Sequence, residues 1–211
     1  MLITAIKRQK KNSDRVNLYL DGEFAFALSV ETALKAGLRR GQTIDEATRL
    51  ELETEDAFCR AREAALVLLS HRARSERELR DRLLRRGYTP EVAERTLSNL
   101  RERGLLDDVA FAQAFARDRL RSRPSGRRRL VADLRGKGVS PEDAERALAE
   151  MSHESEESEL DLARRALAKF PQRGGEDRAA TKRRLYAYLA RRGFGSGVTS
   201  ALAREYFSGD E

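Results

Sequence analysis

The apolar positions of this chain follow two different periods. Over residues 2 to 28 the period is two: Val16, Leu18 and Leu20 alternate with Asn17 and Tyr19, and Phe24 and Phe26 with Ala25 and Ala27, on either side of Asp21-Gly22. Alternation around Asp-Gly predicts a β-hairpin, because this pair tolerates the positive φ angles of a two-residue turn. Leu2 to Lys7 offers a third strand, which leaves Lys7 to Arg15 as an exposed basic loop. That loop is either a phosphate contact or a guard against edge-to-edge pairing. After Ser29 the period changes to three and four, the spacing of a helix face. Ser29 caps a short helix carrying Val30, Ala33 and Leu34 and ended by Gly37; Thr43 and Glu46 form a capping box ahead of Ile44, Ala47 and Leu50. The helix opened there runs on to about His71 unless the acidic group Glu51, Glu53, Glu55 and Asp56 interrupts it.

From there the helical pattern repeats. Leu79, Leu83, Gly87, Pro90, Ala93 and Leu97 recur at one constant offset as Leu130, Leu134, Gly138, Pro141, Ala144 and Leu148. A weaker third copy, after a slightly longer interval, aligns Leu185, Leu189 and Gly193 with Leu130, Leu134 and Gly138. Val198 and Leu202 resume its apolar face, and Ser196 stands where proline is expected. Each copy reads as three helices: an apolar-striped first helix, a second opened by Ser75-x-x-Glu78 or its counterpart and stopped by glycine, and a third started by Thr89-Pro90 or Ser140-Pro141. Short helix pairs cannot bury their apolar faces alone, so such units pack small cores and stack on their neighbours. The expected organisation is an N-terminal β-hairpin with short helices over 1–55, then three-helix repeats over 56–103, 104–151 and 152–207. Ser152 to Glu159 reads as an acidic linker or a solvated helix start, Pro171 to Asp177 as a turn around Gly174-Gly175, and Ser208 to Glu211 as a frayed tail.

Charge adds a partner to this picture. Lys and Arg number 42 against 35 Asp and Glu, with a pI near 9.8, which points to a polyanion, most simply nucleic acid. The excess is uneven: residues 41 to 60 carry −4 and residues 61 to 150 carry +6. The densest basic stretch, Asp118 to Leu130, holds six arginines in thirteen residues: Arg119, Arg121, Arg123, Arg127, Arg128 and Arg129. The last three oppose the dipole of the helix they begin, which favours an anionic partner over a purely structural reading. Arg86, Lys137 and Arg192 recur just before each turn glycine, where a cation also suits a helix C-terminus. With Arg74, Arg77, Arg82, Arg85, Arg135, Lys182, Arg183 and Arg191 they form a candidate discontinuous basic face.

Candidate chemistry is sparse. Cys59 is the only cysteine, which excludes an intrachain disulfide, and His71 and His153 are the only histidines, so no Cys/His metal spacing exists. Asp107 and Asp108 are better explained as helix caps than as a metal pair. The glycines end helices and make no phosphate loop of the Walker or dinucleotide-binding kind. With no apolar run of ~18 residues and no signal-peptide core, the expectation is a cytoplasmic binding protein without catalytic residues, cofactor or metal. Helix, glycine turn and helix also fit a helix-turn-helix reader of duplex DNA acting alone, although base-reading Asn and Gln are scarce.

The elements SERELRDRLLRRGY, GLLDDVAFAQAF and GRRRLVADLRGKGVSPE, in that order, resemble the RecX regulatory proteins, bacterial modulators of the RecA recombinase, over roughly Asp56 to Phe207. The resemblance implies a mainly α, elongated array of three tandem three-helix repeats behind a small hairpin. It implies a monomer lying in the groove of the RecA filament on single-stranded DNA, with duplex DNA a further partner. There it limits extension or promotes disassembly, and so lowers ATP hydrolysis, strand exchange and repressor cleavage by RecA.

Overall fold

The computed structural model describes residues 1–154, 157–172 and 177–208, with only the backbone of Glu154. The predicted linker and the Gly174-Gly175 turn are therefore described at their ends only, and the tail beyond Ser208 lies outside the described residues. The chain forms two compact units, Met1–Ala73 with Leu79–Leu106, and Arg74–Glu78 with Asp107–Glu211.

The first unit begins with an antiparallel sheet of β1 (Ile3–Arg8), β2 (Arg15–Leu20) and β3 (Glu23–Ser29), in that order. Asp21 and Gly22 have φ of 51° and 95°, the mirror-image turn that matches strand twist. Val16, Leu18, Leu20 and Phe26 line the buried face with Ile3 and Leu28, and pack on Ala33, Ile44 and Leu52. Phe24 departs from the alternation and is 58% exposed, because the register shifts after Leu18 and pairs Tyr19 with Phe24. The two rings meet edge to face on the outer side.

Helix α1 (Val30–Lys35) is capped by the Ser29 hydroxyl, and the chain turns away at Gly37, φ 60°. Helix α2 (Glu46–His71) starts two residues later than its predicted capping box, since its cap is Asp45, whose carboxylate accepts from the Thr48 amide, and not Thr43. Thr43 instead bridges Leu2 beside the sheet. Of the apolar residues of these two helices, Leu34 and Leu50 are 74% and 64% exposed, and Ala33 and Leu52 take the inward positions. The acidic group does not interrupt α2. Asp56 is buried, accepts from the Ser29 amide at 2.6 Å and pairs with Arg15 and Arg60, tying the end of β3 to the helix.

The repeats share one plan. In the first, the C-terminal part of α2 packs with α3 (Glu76–Arg85) and α4 (Pro90–Glu102) around Leu79, Leu83, Ala93 and Leu97, each 0% exposed. In the second, α5 (Asp108–Ser122), α6 (Arg127–Gly136) and α7 (Pro141–Glu154) enclose Leu130, Leu134, Ala144 and Leu148. In the third, α8 (Glu159–Leu167), α9 (Arg178–Arg191) and α10 (Ser196–Ser208) enclose Leu185, Leu189 and Leu202. The turn glycines Gly87, Gly138 and Gly193 have φ of 86°, 90° and 80°, a region costly for any side chain. The predicted caps hold: Thr89 accepts from Val92 and Ser140 from Asp143. Asp107 caps α5 through Val109 and Ala110, while Asp108 accepts from the Glu76 amide at 2.8 Å and so caps α3.

Candidate polyanion interface

Within the second unit, repeats 2 and 3 meet at their glycines. The Gly126 amide donates to the Arg192 carbonyl at 2.9 Å, and a Cβ at Gly126 would fall well inside van der Waals contact with the Gly193 carbonyl. A related contact occurs one repeat earlier, where the Ser75 hydroxyl donates to the Lys137 carbonyl at 2.5 Å and the Arg77 side chain packs where a Cβ on Gly138 would stand. The cationic position before each of these two turn glycines therefore supplies a carbonyl to the preceding repeat, a backbone role that its charge did not announce.

Beside the Gly126–Gly193 contact lies a cavity of about 430 Å³, lined by Arg119, Arg123, Ser125, Arg129, Tyr188, Arg191 and Arg192. The end of α5 supplies Arg119 and its C-cap Arg123; Pro124 to Gly126 turn the chain, and α6 supplies Arg129. The last turn of α9 supplies Tyr188, Arg191 and the C-cap Arg192. Asp133 pairs with Arg119 and Arg129, each at 3.0 Å, and holds both guanidinium groups on one wall. Arg192 lies 4.5 Å over the Tyr188 ring and donates to the Pro124 carbonyl at 3.3 Å, while the Tyr188 hydroxyl donates to Ala166. These contacts settle Arg119, Arg129 and Arg192 in a fixed cluster. A cluster of guanidinium groups around a concave surface concentrates positive potential and suits oxyanions, to which each fork can donate two hydrogen bonds.

The other candidates fall in several places. Arg127 leaves the cavity side and pairs with Glu145 across repeat 2, so three consecutive arginines do not act as one group. Arg121, Arg128 and Arg135 are exposed on repeat 2; Lys137 is exposed too, with its ammonium 5.9 Å from the Phe115 ring. Arg74 is 8% exposed and pairs with Glu78, which makes it part of the packing where α3 begins. Arg77 is exposed, with its stem against Gly138. In the first repeat Arg82, Arg85 and Arg86 are exposed along α3 and its turn. In the third, Lys182 and Arg183 are exposed on α9, and Lys182 lines a second basic cavity, about 380 Å³, with Arg178 and Arg204. Asp133, Tyr188 and Ser125 were absent from the sequence-based site. Their residue types gave no signal, whereas glycine at 126, where the first repeat has Ser75, marks the close approach.

Among the described residues no group of His, Cys, Asp and Glu is placed to hold a metal ion, and no helix is long and apolar enough to cross a membrane.

Fold and site together define a tandem array of three-helix modules behind a small β-sheet, with an arginine-lined cavity between its last two modules. Models of the RecX N-terminal domain and of the first, second and third RecX three-helix domains match residues 1–45, 61–109, 107–148 and 156–202. A Regulatory protein RecX of Clostridium perfringens strain 13 is 32% identical over 96% of this chain and 94% of its own. Its namesake in Clostridium botulinum strain Eklund 17B is 30% identical over 96% and 95%. A crystal structure of regulatory protein RecX superposes with a TM-score of 0.78 at 27% identity, covering 97% of this chain and 98% of that one. RecX from Lactobacillus salivarius shares the fold over 72% of this chain, with a TM-score of 0.62. The chain belongs to the RecX regulatory protein family.

Proposed function

We propose that this protein is a regulator of RecA that binds in the groove of the RecA filament on single-stranded DNA and lowers its extension, ATP hydrolysis, strand exchange and coprotease activity. The observation that carries this reading is the relation to proteins named Regulatory protein RecX over nearly the full length of both chains. The site geometry is compatible with it. Small modules in tandem along the chain suit a helical groove, and mixed charge with a concentrated arginine cluster suits a partner made of protein and DNA together. On this reading the protein works by binding, in the cytoplasm, as a monomer, and ATP turnover belongs to RecA. The sheet and short helices over 1–55 and the repeats over 56–103, 104–151 and 152–207 are its working modules, and the exposed arginines and lysines of the repeats its contact residues.

The test is a titration of preformed RecA filaments with the full chain, reading DNA-dependent ATPase and strand exchange. Both fall as the protein approaches stoichiometry if the proposal holds; unchanged rates reject it. Tight, sequence-dependent duplex binding without RecA would instead favour a DNA-binding regulator acting alone.

A further inference from the structure

The regulator reading leaves open why so many arginines converge on one cavity between repeats 2 and 3. We propose that this cavity is a phosphate-binding site, and that a bound phosphate group fastens repeat 2 to repeat 3. The proposal concerns the chain by itself and does not depend on RecA.

The first support is a charge imbalance that packing does not resolve. Five guanidinium groups line the cavity, and among the described residues Asp133 is the carboxylate that pairs with them, through Arg119 and Arg129. Arg123 and Arg191 are exposed at its edge. Positive groups gathered in this way repel one another, and a phosphate group relieves that repulsion while accepting their hydrogen bonds.

The second support comes from the repeats. Aligning Leu79 with Leu130 and Leu130 with Leu185 gives each cavity arginine a counterpart one repeat earlier. The counterparts of Arg119, Arg123, Arg129, Arg191 and Arg192 are Leu68, Arg72, Glu78, Gly136 and Lys137. The glycine-turn carbonyl nevertheless accepts a hydrogen bond from the preceding repeat there as well, between Ser75 and Lys137. Joining one module to the next therefore does not require five arginines at these positions. Their presence between repeats 2 and 3 calls for another cause.

The lining also favours phosphate over a nucleobase. A guanidinium can read a guanine edge, but adenine is read by an amide and cytosine by a free carboxylate, and a stacked base is held best by an open aromatic face. Among the described residues the lining contains no Asn, Gln, Asp or Glu; the Tyr188 ring already carries Arg192, and the Ser125 hydroxyl donates to the Arg123 carbonyl at 3.0 Å. What remains is a cluster of guanidinium donors contributed by both repeats. A phosphate contacting both walls connects α5 and α6 to α9 and reinforces the Gly126–Arg192 hydrogen bond. The phosphate belongs either to a nucleic-acid backbone or to a free phosphate ester, and both offer the same oxygens.

The experiment uses the full chain at low salt in a phosphate-free buffer. Binding of inorganic pyrophosphate, ATP and a short oligothymidylate is measured by calorimetry, alongside exchange of the Gly126 amide by NMR. Saturable binding of at least one probe is expected, weakened about tenfold or more in the R123A/R191A double variant. Both side chains are exposed, and circular dichroism verifies that the variant is folded. The R39A/R40A variant removes two exposed charges elsewhere and is expected to bind like the parent. Binding of the oligonucleotide alone assigns the phosphate to a nucleic-acid backbone; binding of pyrophosphate or ATP as well assigns the site to phosphate esters in general. No binding of any probe, equal affinity in R123A/R191A, or an equal loss in R39A/R40A overturns the site. Gly126 exchange that does not slow on saturation overturns the fastening. Because RecA is absent throughout, none of these failures bears on the regulator reading.

Discussion

Asp108 shows how one residue can serve a helix other than its own. It is the first residue of α5, yet its carboxylate accepts a hydrogen bond from the Glu76 amide at the start of α3. Burial pushes this carboxyl above the usual aspartate range, partly offset by that hydrogen bond, with nearby Glu76, Asp143 and Asp107 adding to the rise. An acid whose folded pKa is raised binds its proton more tightly in the folded state. Its contribution to stability is therefore complete below the unfolded value of about 3.9 and is lost as pH rises through the folded value. Asp108→Asn keeps an acceptor for the Glu76 amide and removes the titration. Urea unfolding across the acid range is expected to show the parent gaining stability relative to D108N as pH falls, and a constant difference would refute this account. The capping role of Asp107 and Asp108 was legible in sequence, but not the helix that Asp108 would cap, because that partner lies 32 residues away.

At the scale of elements, local rules succeeded wherever the decisive contacts are local. Thr89 and Ser140 cap the helices that follow them because a hydroxyl reaches an amide three residues on, regardless of the rest of the fold. Thr43 failed the same rule because the sheet claimed it through Leu2, and Asp45 caps α2 in its place. Periodicity named Leu50 among the apolar residues of this helix, and packing chose between neighbours: Leu52, two residues on, is the side chain that joins the core under the sheet. The junction of α6 with the end of α9 is similarly tertiary. Gly126 has an ordinary φ of −75°, so its glycine is required by the approach of Gly193 and not by its own backbone. Gly126→Ala is expected to cost about 1–3 kcal/mol, the usual range for forcing a methyl group into close packing. Chemical denaturation would measure it; a neutral effect would mean that the two turns separate at little cost.

For the whole molecule, the division into two units is itself testable. The first repeat, apart from Arg74–Glu78, shares a unit with the N-terminal sheet, and those five residues join the second and third repeats in the other. Leu83 is 0% exposed at the centre of the first repeat's core, and Leu83→Ala is expected to destabilise by about 2–5 kcal/mol. Hydrogen exchange followed by mass spectrometry should show faster exchange in α3 and α4, with residues 127–154 little changed. Equal acceleration in both regions would show that the array opens as a single cooperative body.

The sequence alone determined the repeat. Leucines four apart, a glycine that must take positive φ and a hydroxyl cap before the next helix are short-range requirements, so their recurrence along the chain displayed the modules directly. Tertiary structure decided which charges act together. Arg127 and Arg129 are near neighbours in sequence, yet one pairs with Glu145 and the other with Asp133 at the cavity, because nearby side chains on a helix point in different directions. Conversely, Arg119 on α5 and Arg191 on α9 belong to different repeats and line the same cavity, since two small cores and the Gly126–Gly193 contact bring their helix ends together. Charge acts through space, and only packing fixes the distances over which it does so.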